Sequence, residues 1–582
     1  MQLSRVRSAL LSLPLSFAVG FIAFTTGLTT LTAYAQNQAS LTGVVTDSTG
    51  AVIPGTTVSL ANPAKGLSYK QTTNGQGSYN FVNVLPNQGY VLTFAHDGFA
   101  SYVVRGLELQ VGATRTQDAQ LGAASANVQV EVSASNQEVT LDTTDASVGN
   151  SIDVRQLNDL PVLDRTTGIE ALLVLQPGVD SFSGAVTGAR IDQSSVTLDG
   201  MDVNDIAAGT TFAIVANAPI DSVQQFNGTV AGLLPSVGTG SGGQFQLVTR
   251  SGTNQFHGNI NEYHRDTATA ANTWFNNNTG LPRTPLIRNQ FGGNIGGPIK
   301  RDKLYFFFDA ALSRIVQSSA PTPRTVPLDS FRNGTLNYIN DGNGCNSSSR
   351  LNTTPGCISS LTGAQVAALD PNGIGFDSNV LSFINNRYPH ANDLTLGDGV
   401  NTGGYRFNYP TPDNETTYVG RIDYNLSAHH KVFGRFTINR RNSVETIPEF
   451  ATDPSTHPFI DRSYAYMVSD VWTIGTNKVN EIYYGDTISK FDFPDLYNPT
   501  GANQYSFSGL SGPYTAFDGQ QRRVPIPEIR DDFNWQIGSH SLTFGGLFKF
   551  VKTNSNLINN FNFPGIGLQG TALVNGDRKS VV

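Results

Sequence analysis

The residues able to do chemistry are few in this chain of 582 residues, and they are badly placed for it. His429-His430 is the closest histidine pair, but it falls in a stretch that reads as a tight turn, where solvated rings are expected rather than metal ligands. No His-x-x-Glu zinc pattern, Gly-x-Ser-x-Gly elbow or Walker loop occurs, and carboxylates are scattered singly, so no acid–base pair can be assembled. The run Gly238-Thr239-Gly240-Ser241-Gly242-Gly243 has a phosphate loop's glycines, yet a strand follows it instead of a helix N-terminus, so it reads as a tight turn. Cys345 and Cys357 are the only cysteines and sit in a Gly, Asn, Ser and Thr-rich segment. In an oxidising compartment they are expected to pair, closing a short loop for about 3 kcal/mol, with metal ligation as the alternative. No catalytic, cofactor or metal residues can be named, and a non-enzyme is expected.

The elements around this sparse chemistry are more informative. Charged residues make up 14% of the chain, against roughly 25% in typical soluble proteins, while hydrophobic residues are 39% and mean hydropathy is -0.19. That balance suits a wall with one lipid face and one wet face. The net charge of -8 contains no block of like sign, which argues against a nucleic-acid partner. At the start, Arg5 and Arg7 precede an apolar run from Ala9 to Leu31, and Ala33-Tyr34-Ala35 supplies a small-x-small site. Residues 1–35 are therefore expected to be a signal peptide cleaved between Ala35 and Gln36, an uncleaved anchor being the alternative. No later apolar stretch of about 18 residues occurs, so any later crossing must use strands.

Residues 36–122 alternate short β-rich runs with turn clusters and predict a small β-sandwich. Gly43, Val45, Asp47, Gly50, Pro54, Gly55 and Val58, followed by Thr73, Gly77, Tyr79, Phe81, Leu85, Pro86, Gly89, Tyr90, Gly98 and Phe99, resemble the carboxypeptidase regulatory-like domain, a non-catalytic module. Residues 123–150 are poor in aromatics and rich in Ser, Thr and Asp, as a linker would be. Within them Val128, Gln129, Val130, Glu131, Val132 and Ser133 also read as an extended segment able to join a partner's sheet.

Residues 151–254 change pattern. Thr167 and Glu170 have capping-box spacing ahead of a short helix over Ile169 to Leu175; strand-like SSVTLDGMDV, PIDSVQQFNG and FQLVTR follow. From Phe256 to Lys552 the period is two. Tyr418, Gly420, Ile422, Tyr424 and Leu426 alternate with Thr417, Arg421, Asp423 and Asn425; Val432, Gly434, Phe436 and Ile438 alternate with Arg435, Thr437 and Asn439. A membrane barrel and a half-buried soluble sheet both produce this alternation. Short turns at Ile299 to Asp302, Ser427 to His430, Gly475 to Asn477 and Ile537 to Ser539, set against long polar segments such as Ile315 to Glu415, favour the barrel. Roughly nine strands are expected, the first over Phe256 to Thr267. The aromatics Tyr305 to Phe308, Tyr464 and Tyr466 are expected in interfacial girdles and lipid-facing wall rather than against substrate.

The order Leu160-Pro161, Arg165, Leu173 to Val179, Thr197-Leu198-Asp199-Gly200, Asp221-Ser222-Val223, then Gly242 to Gly258 resembles plug and barrel in TonB-dependent outer-membrane transporters, Oar-like branch. The resemblance implies a mainly β chain in the outer membrane: signal peptide 1–35, periplasmic sandwich 36–122, linker with candidate TonB box 123–150, plug 151–254 and partial barrel 255–576. It also implies TonB, outer-membrane lipid and an unidentified extracellular ligand as partners, and no cofactor. An adhesion or protein-export component with the same architecture is the alternative. The tail Asp577 to Val582, DRKSVV, resembles a translated sequencing adapter and is expected not to belong to the natural chain.

Overall fold

The computed structural model describes residues 38–123, 130–133, 147–159, 169–233, 240–278, 280–319, 321–340, 345, 356–453, 458–475, 477–494, 502–503, 507, 509–513, 519–537, 540–558 and 561–562. The expected cleavage site Ala35/Gln36, Thr167 of the expected capping box, Val128, Gln129 and the tail 577–582 lie outside the described residues.

The first body is built from β1 (Ala39–Asp47), β2 (Thr57–Asn62), β3 (Leu67–Thr72), β4 (Ser78–Val84), β5 (Asn87–Ala95), β6 (Tyr102–Leu109), β7 (Thr114–Thr116), β8 (Ala119–Leu121) and β9 (Val130–Ser133). One sheet runs β4-β1-β7, with β8 also on β1; the other runs β3-β2-β5-β6-β9. Alternate residues of β1, β2, β4 and β5 point inward, and Leu41, Leu60, Tyr90, Leu92 and Phe94 are wholly buried between the sheets. Gly43 is required here, because a Cβ at that position would lie 2.1 Å from the Gln117 carbonyl oxygen.

The second body holds β10 (Val148–Asp153), helix α1 (Val154–Asp159), helix α2 (Ile169–Val174), β11 (Ser195–Leu198), β12 (Met201–Asp202), β13 (Val223–Ala231) and β14 (Gln244–Thr249). Its mixed sheet has the order β10-β13-β14-β11-β12, and Ile169, Leu172 and Leu173 of α2 pack with Phe226, Phe245 and Leu247. Asp199 and Gly200, at φ 48 and 87, make the two-residue turn between β11 and β12. That conformation is the one Asp-Gly adopts in tight hairpins.

The third body is an antiparallel wall. Its strands are β15 (His257–Asp266), β16 (Leu286–Lys300), β17 (Leu304–Gln317), β22 (Asp413–Asn425), β23 (His430–Val444), β24 (Pro458–Asp461), β25 (Tyr464–Ile474), β26 (Lys478–Phe493), β28 (Gly519–Ile537), β29 (His540–Lys549) and β30 (Asn554–Ile558). β24 and β25 both pair β23 and β26, and β29 and β30 both pair β28, so two of the crossings are interrupted strands and the described wall makes nine. Among the described strands β15 and β29 stand at the two ends of the sheet and do not pair with each other. Helix α3 (Trp274–Asn278) lies between β15 and β16, and the two-residue strands β27 (Ala502–Asn503) and β31 (Phe561–Asn562) pair with each other. No helix among the described residues is long and apolar enough to cross a membrane.

Residues 318–412, expected as a loop, contain a small folded unit instead: β18 (Thr322–Pro327), α4 (Asp329–Arg332), β19 (Thr335–Ile339), β20 (Ile358–Thr362), α5 (Gly363–Leu369), α6 (Ser378–Arg387) and β21 (Thr402–Phe407). Its helices start from legible caps, the Thr362/Gln365 capping box and Asp377, which accepts from the backbone N–H of Asn379 and Val380. Val326, Ile384, Tyr388, Phe450 and Phe507 form its core, and Arg387 grips Asp453 through Nη1 and Nη2 at 2.7 and 2.6 Å. Cys345 and Cys357 are joined by a disulfide in this unit, with Cα atoms 5.4 Å apart. The polar composition that marked the segment as loop is what a small core inside many turns requires.

Candidate functional site: the seams of plug, wall and sandwich

Which way the wall faces is read from burial. On β25, Tyr466, Val468 and Trp472 are exposed while Ala465, Met467 and Ser469 are buried; on β26, Ile482 and Tyr484 are exposed while Glu481 and Tyr483 are buried. The buried face of the wall also carries Arg421, Arg435, Thr437, Asn439, Glu528 and Arg530, and the exposed face Ile422, Phe436, Ile529, Phe544 and Phe548. A soluble sheet hides its apolar face. This one hides its polar face and shows its apolar one, the inversion expected where lipid lies outside.

What covers the polar face is the second body. Its hairpin reads Asp199-x-x-Asp202-x-x-Asp205, and each aspartate meets wall cations. Asp199 accepts from Arg421 Nη1 at 3.0 Å and lies 2.9 Å from Arg435 Nε, all three side chains being almost fully buried. The Arg435 Nε approach is an ion pair without hydrogen-bond alignment; its guanidinium donates instead to Thr437 Oγ1 at 3.0 Å and the Leu198 carbonyl at 3.1 Å. Asp199 also accepts from Thr249 N at 2.9 Å and Thr249 Oγ1 at 2.8 Å, tying the hairpin to the last strand of its own sheet. Arg421 is shared with Asp423 at 2.8 Å and stacks over Phe433 at 4.2 Å. Asp202 meets Lys549 Nζ at 2.5 Å, and that ammonium also reaches Glu528 at 3.5 Å. Asp205 meets Arg522 Nη2 at 2.7 Å.

Between the charges the contact is close-packed. Met201, Val215 and Ala216 share a core with wall residues Phe433, Ala465, Met467 and Tyr483. Gly485 permits that approach, because a Cβ there would lie 2.2 Å from Met201 Sδ. Tyr483 donates to the Gly200 carbonyl at 2.9 Å, and Thr487 to the Asp202 carbonyl at 2.9 Å. Sequence reading placed Thr197 to Gly200 in this body and Arg421 and Arg435 on the polar side of their strands, but did not join them. The three-residue spacing of the aspartates was the available signal.

The sandwich makes a second seam, at the rim with short turns. Its turn Pro63–Lys65 wedges into the link 251–254 between second body and wall. Asn254 N donates to the Ala64 carbonyl at 2.7 Å and Asn254 Nδ2 to the Pro63 carbonyl at 3.1 Å; the same side chain exchanges hydrogen bonds with Asp302 and Tyr305 of the wall. Lys65 Nζ donates to Ser251 Oγ at 2.5 Å. The lysine's stem is part-exposed but its ammonium is enclosed, and this burial holds it at about 8, a drop that nearby Asp423 partly offsets. Further contacts are the Lys431 ammonium over the Tyr69 ring at 3.4 Å, and Asn80 to Gln536 Oε1 at 2.9 Å. A side chain of the second body, Gln225, accepts from Val111 N at 3.1 Å, and Asn227 donates to the Val111 carbonyl at 3.0 Å.

Of the residues singled out by sequence, Val130–Ser133 form β9 on the edge of the sandwich, paired parallel to β6. His430 does not stand in a solvated turn: it opens β23, with Nδ1 2.8 Å from Asp470 and its ring stacked on Trp472. No group of three or more metal-ligating side chains occurs among the described residues.

An antiparallel wall with its polar face inward, filled by an α/β body, is a plugged outer-membrane barrel. The chain belongs to the outer membrane beta barrel domain family, whose model matches residues 248–578; the carboxypeptidase regulatory-like domain matches residues 40–122. It is similar to the TonB-dependent transporter Oar of Myxococcus xanthus, at 27% identity over 289 residues, 47% of this chain and 26% of that relative. Among solved structures it is similar to a mutant of the ferric enterobactin receptor PfeA from Pseudomonas aeruginosa, at 11% identity over 70% of this chain and 49% of that one, with a TM-score of 0.39. It is also similar to the outer membrane transporter YddB from Escherichia coli, at 10% identity over 70% and 48%, with a TM-score of 0.43. The chain thus spans about a quarter of the curated relative and about half of the two solved proteins. These relatives are named as transporters and a receptor.

Proposed function

We propose that this chain is a gated outer-membrane transporter that takes up an extracellular ligand with energy supplied by TonB. The observation that carries the reading is the meshed seam, in which Asp199, Asp202 and Asp205 of the plug face Arg421, Arg435, Lys549 and Arg522 of the wall. A plug held only by apolar contact would have no charge-sensitive release. One held by ion pairs can be released when water or a competing charge reaches them, because the pairing is strong only while dry. Short turns belong to the periplasmic rim, and in this reading the sandwich and Val130–Ser133 are on the side where TonB acts and the 318–412 unit is outside. In this reading Val128 to Ser133 is the coupling segment, joined by a TonB strand through backbone hydrogen bonds.

The test compares three strains of the native host: wild type, one lacking TonB, and one whose chain lacks residues 128–133 but reaches the surface in normal amount. The same nutrient-uptake defects are expected in the last two. Uptake unchanged in both, with loss of attachment or protein export when the whole chain is deleted, would establish the adhesion or export alternative instead.

A further inference from the structure

We propose that the sandwich is the platform on which the periplasmic partner docks: the TonB strand adds outside β9 as the next strand of the sandwich sheet, so the partner grips the sandwich rather than a free linker. This rests on the coupling reading above. The sheet order β3-β2-β5-β6-β9 ends at β9, with register Tyr102↔Val130, Val103↔Glu131, Val104↔Val132 and Arg105↔Ser133. A strand paired on one edge is not hidden. Its backbone N–H and C=O groups point alternately to either side, so the groups not used by β6 face outward as a ready template. Holding the segment extended also meets, before binding, the ordering cost a free peptide must meet during it.

The platform is tied to the gate. The sandwich that carries β9 also carries Lys65 against Ser251 and the Ala64 carbonyl against Asn254, at the link between plug and wall. Traction on β9 is therefore borne by β6 and delivered to that link. A linker pulled directly would load the plug only at its own first strand, β10.

The experiment uses the full chain in detergent, the purified periplasmic domain of TonB as probe, and an Arg105→Cys, Ser133→Cys pair that locks β9 to β6 when oxidised. The chain is expected to bind the probe about tenfold more tightly than a free 124–146 peptide, and the oxidised pair is expected to bind at least as well as the reduced pair. Binding that is lost on oxidation and regained on reduction would show that β6 hides the segment, overturning the platform. So would a peptide that binds as tightly as the chain, or a pair that fails to form its disulfide. Failure of the coupling reading looks different: binding by the chain then survives deletion of 128–133, while absence of any binding overturns both.

Discussion

The two seams of this molecule are built from different chemistry. Plug and wall meet through buried charges, with Asp199 and its two arginines at 4% exposure or less. Sandwich and rim meet mostly through amides and carbonyls, as at Asn254 and Asn80. Buried opposite charges are costly to separate one at a time, because each partner left behind is a bare ion in a dry site; neutral hydrogen bonds at a wet rim exchange with water at little net cost. The contrast implies two responses: hydration alone loosens the sandwich seam, whereas the plug seam gives way only when load reaching the 251–254 link separates its charges.

The largest effect should come from Asp199→Ala. It leaves Arg421 and Arg435 without their shared plug carboxylate, at a cost of about 3–5 kcal/mol, read as a lower denaturant midpoint for plug release. Asp199→Asn, which keeps the φ 48 turn, combined with Arg435→Met should recover part of that loss, and failure to do so would mean that the charge is not what holds the plug. Next comes Gly485→Ala, whose methyl meets Met201 Sδ and the Tyr466 carbonyl oxygen. About 1–3 kcal/mol of overpacking is expected, seen as faster proteolysis of the plug with the wall intact. At the other seam Asn254→Ala should cost about 1–2 kcal/mol and free the sandwich while plug protection from hydrogen exchange stays unchanged. Equal loss of both protections would erase the distinction between the seams.

The smallest effect is the pH dependence of Lys65. Its ammonium is held at about 8 when docked and returns to the ordinary 10.5 when released, so release takes up a proton between those values. Docking should therefore tighten as pH rises from about 8 to 10.5 and be flat below. Crosslinking yield between sandwich and rim across that range measures it, and Lys65→Met should abolish the slope.

Much of this was legible in the sequence where local rules dominate. The alternation around Tyr418 and Phe436 and the short turn ahead of β23 depend on strand period and turn chemistry, which neighbouring residues determine, whereas the strand-like run SSVTLDGMDV is split by the Asp199-Gly200 hairpin. The 318–412 unit was misjudged as loop because its core residues are spread over distant segments, Val326, Tyr388, Phe450 and Phe507, none of which makes a periodic pattern alone. The caps at Thr362 and Asp377 are local signals, but the short helices they open carry no apolar face broad enough to announce a core.

The seams lay beyond any local rule. Asp199 and Arg421 are 222 residues apart, and either alone reads as a turn residue or one more polar position on an alternating strand. By itself the sequence determined the alternating strands of the wall, their order and that one face is apolar and the other polar, because these follow from backbone geometry and hydrophobic period. Only the tertiary structure decided that the hidden face is the charged one, that three aspartates mesh with it, and that Val130–Ser133 lie on the edge of the sandwich. Pairing energy between distant charges and strand edges exists only after the chain has brought them together.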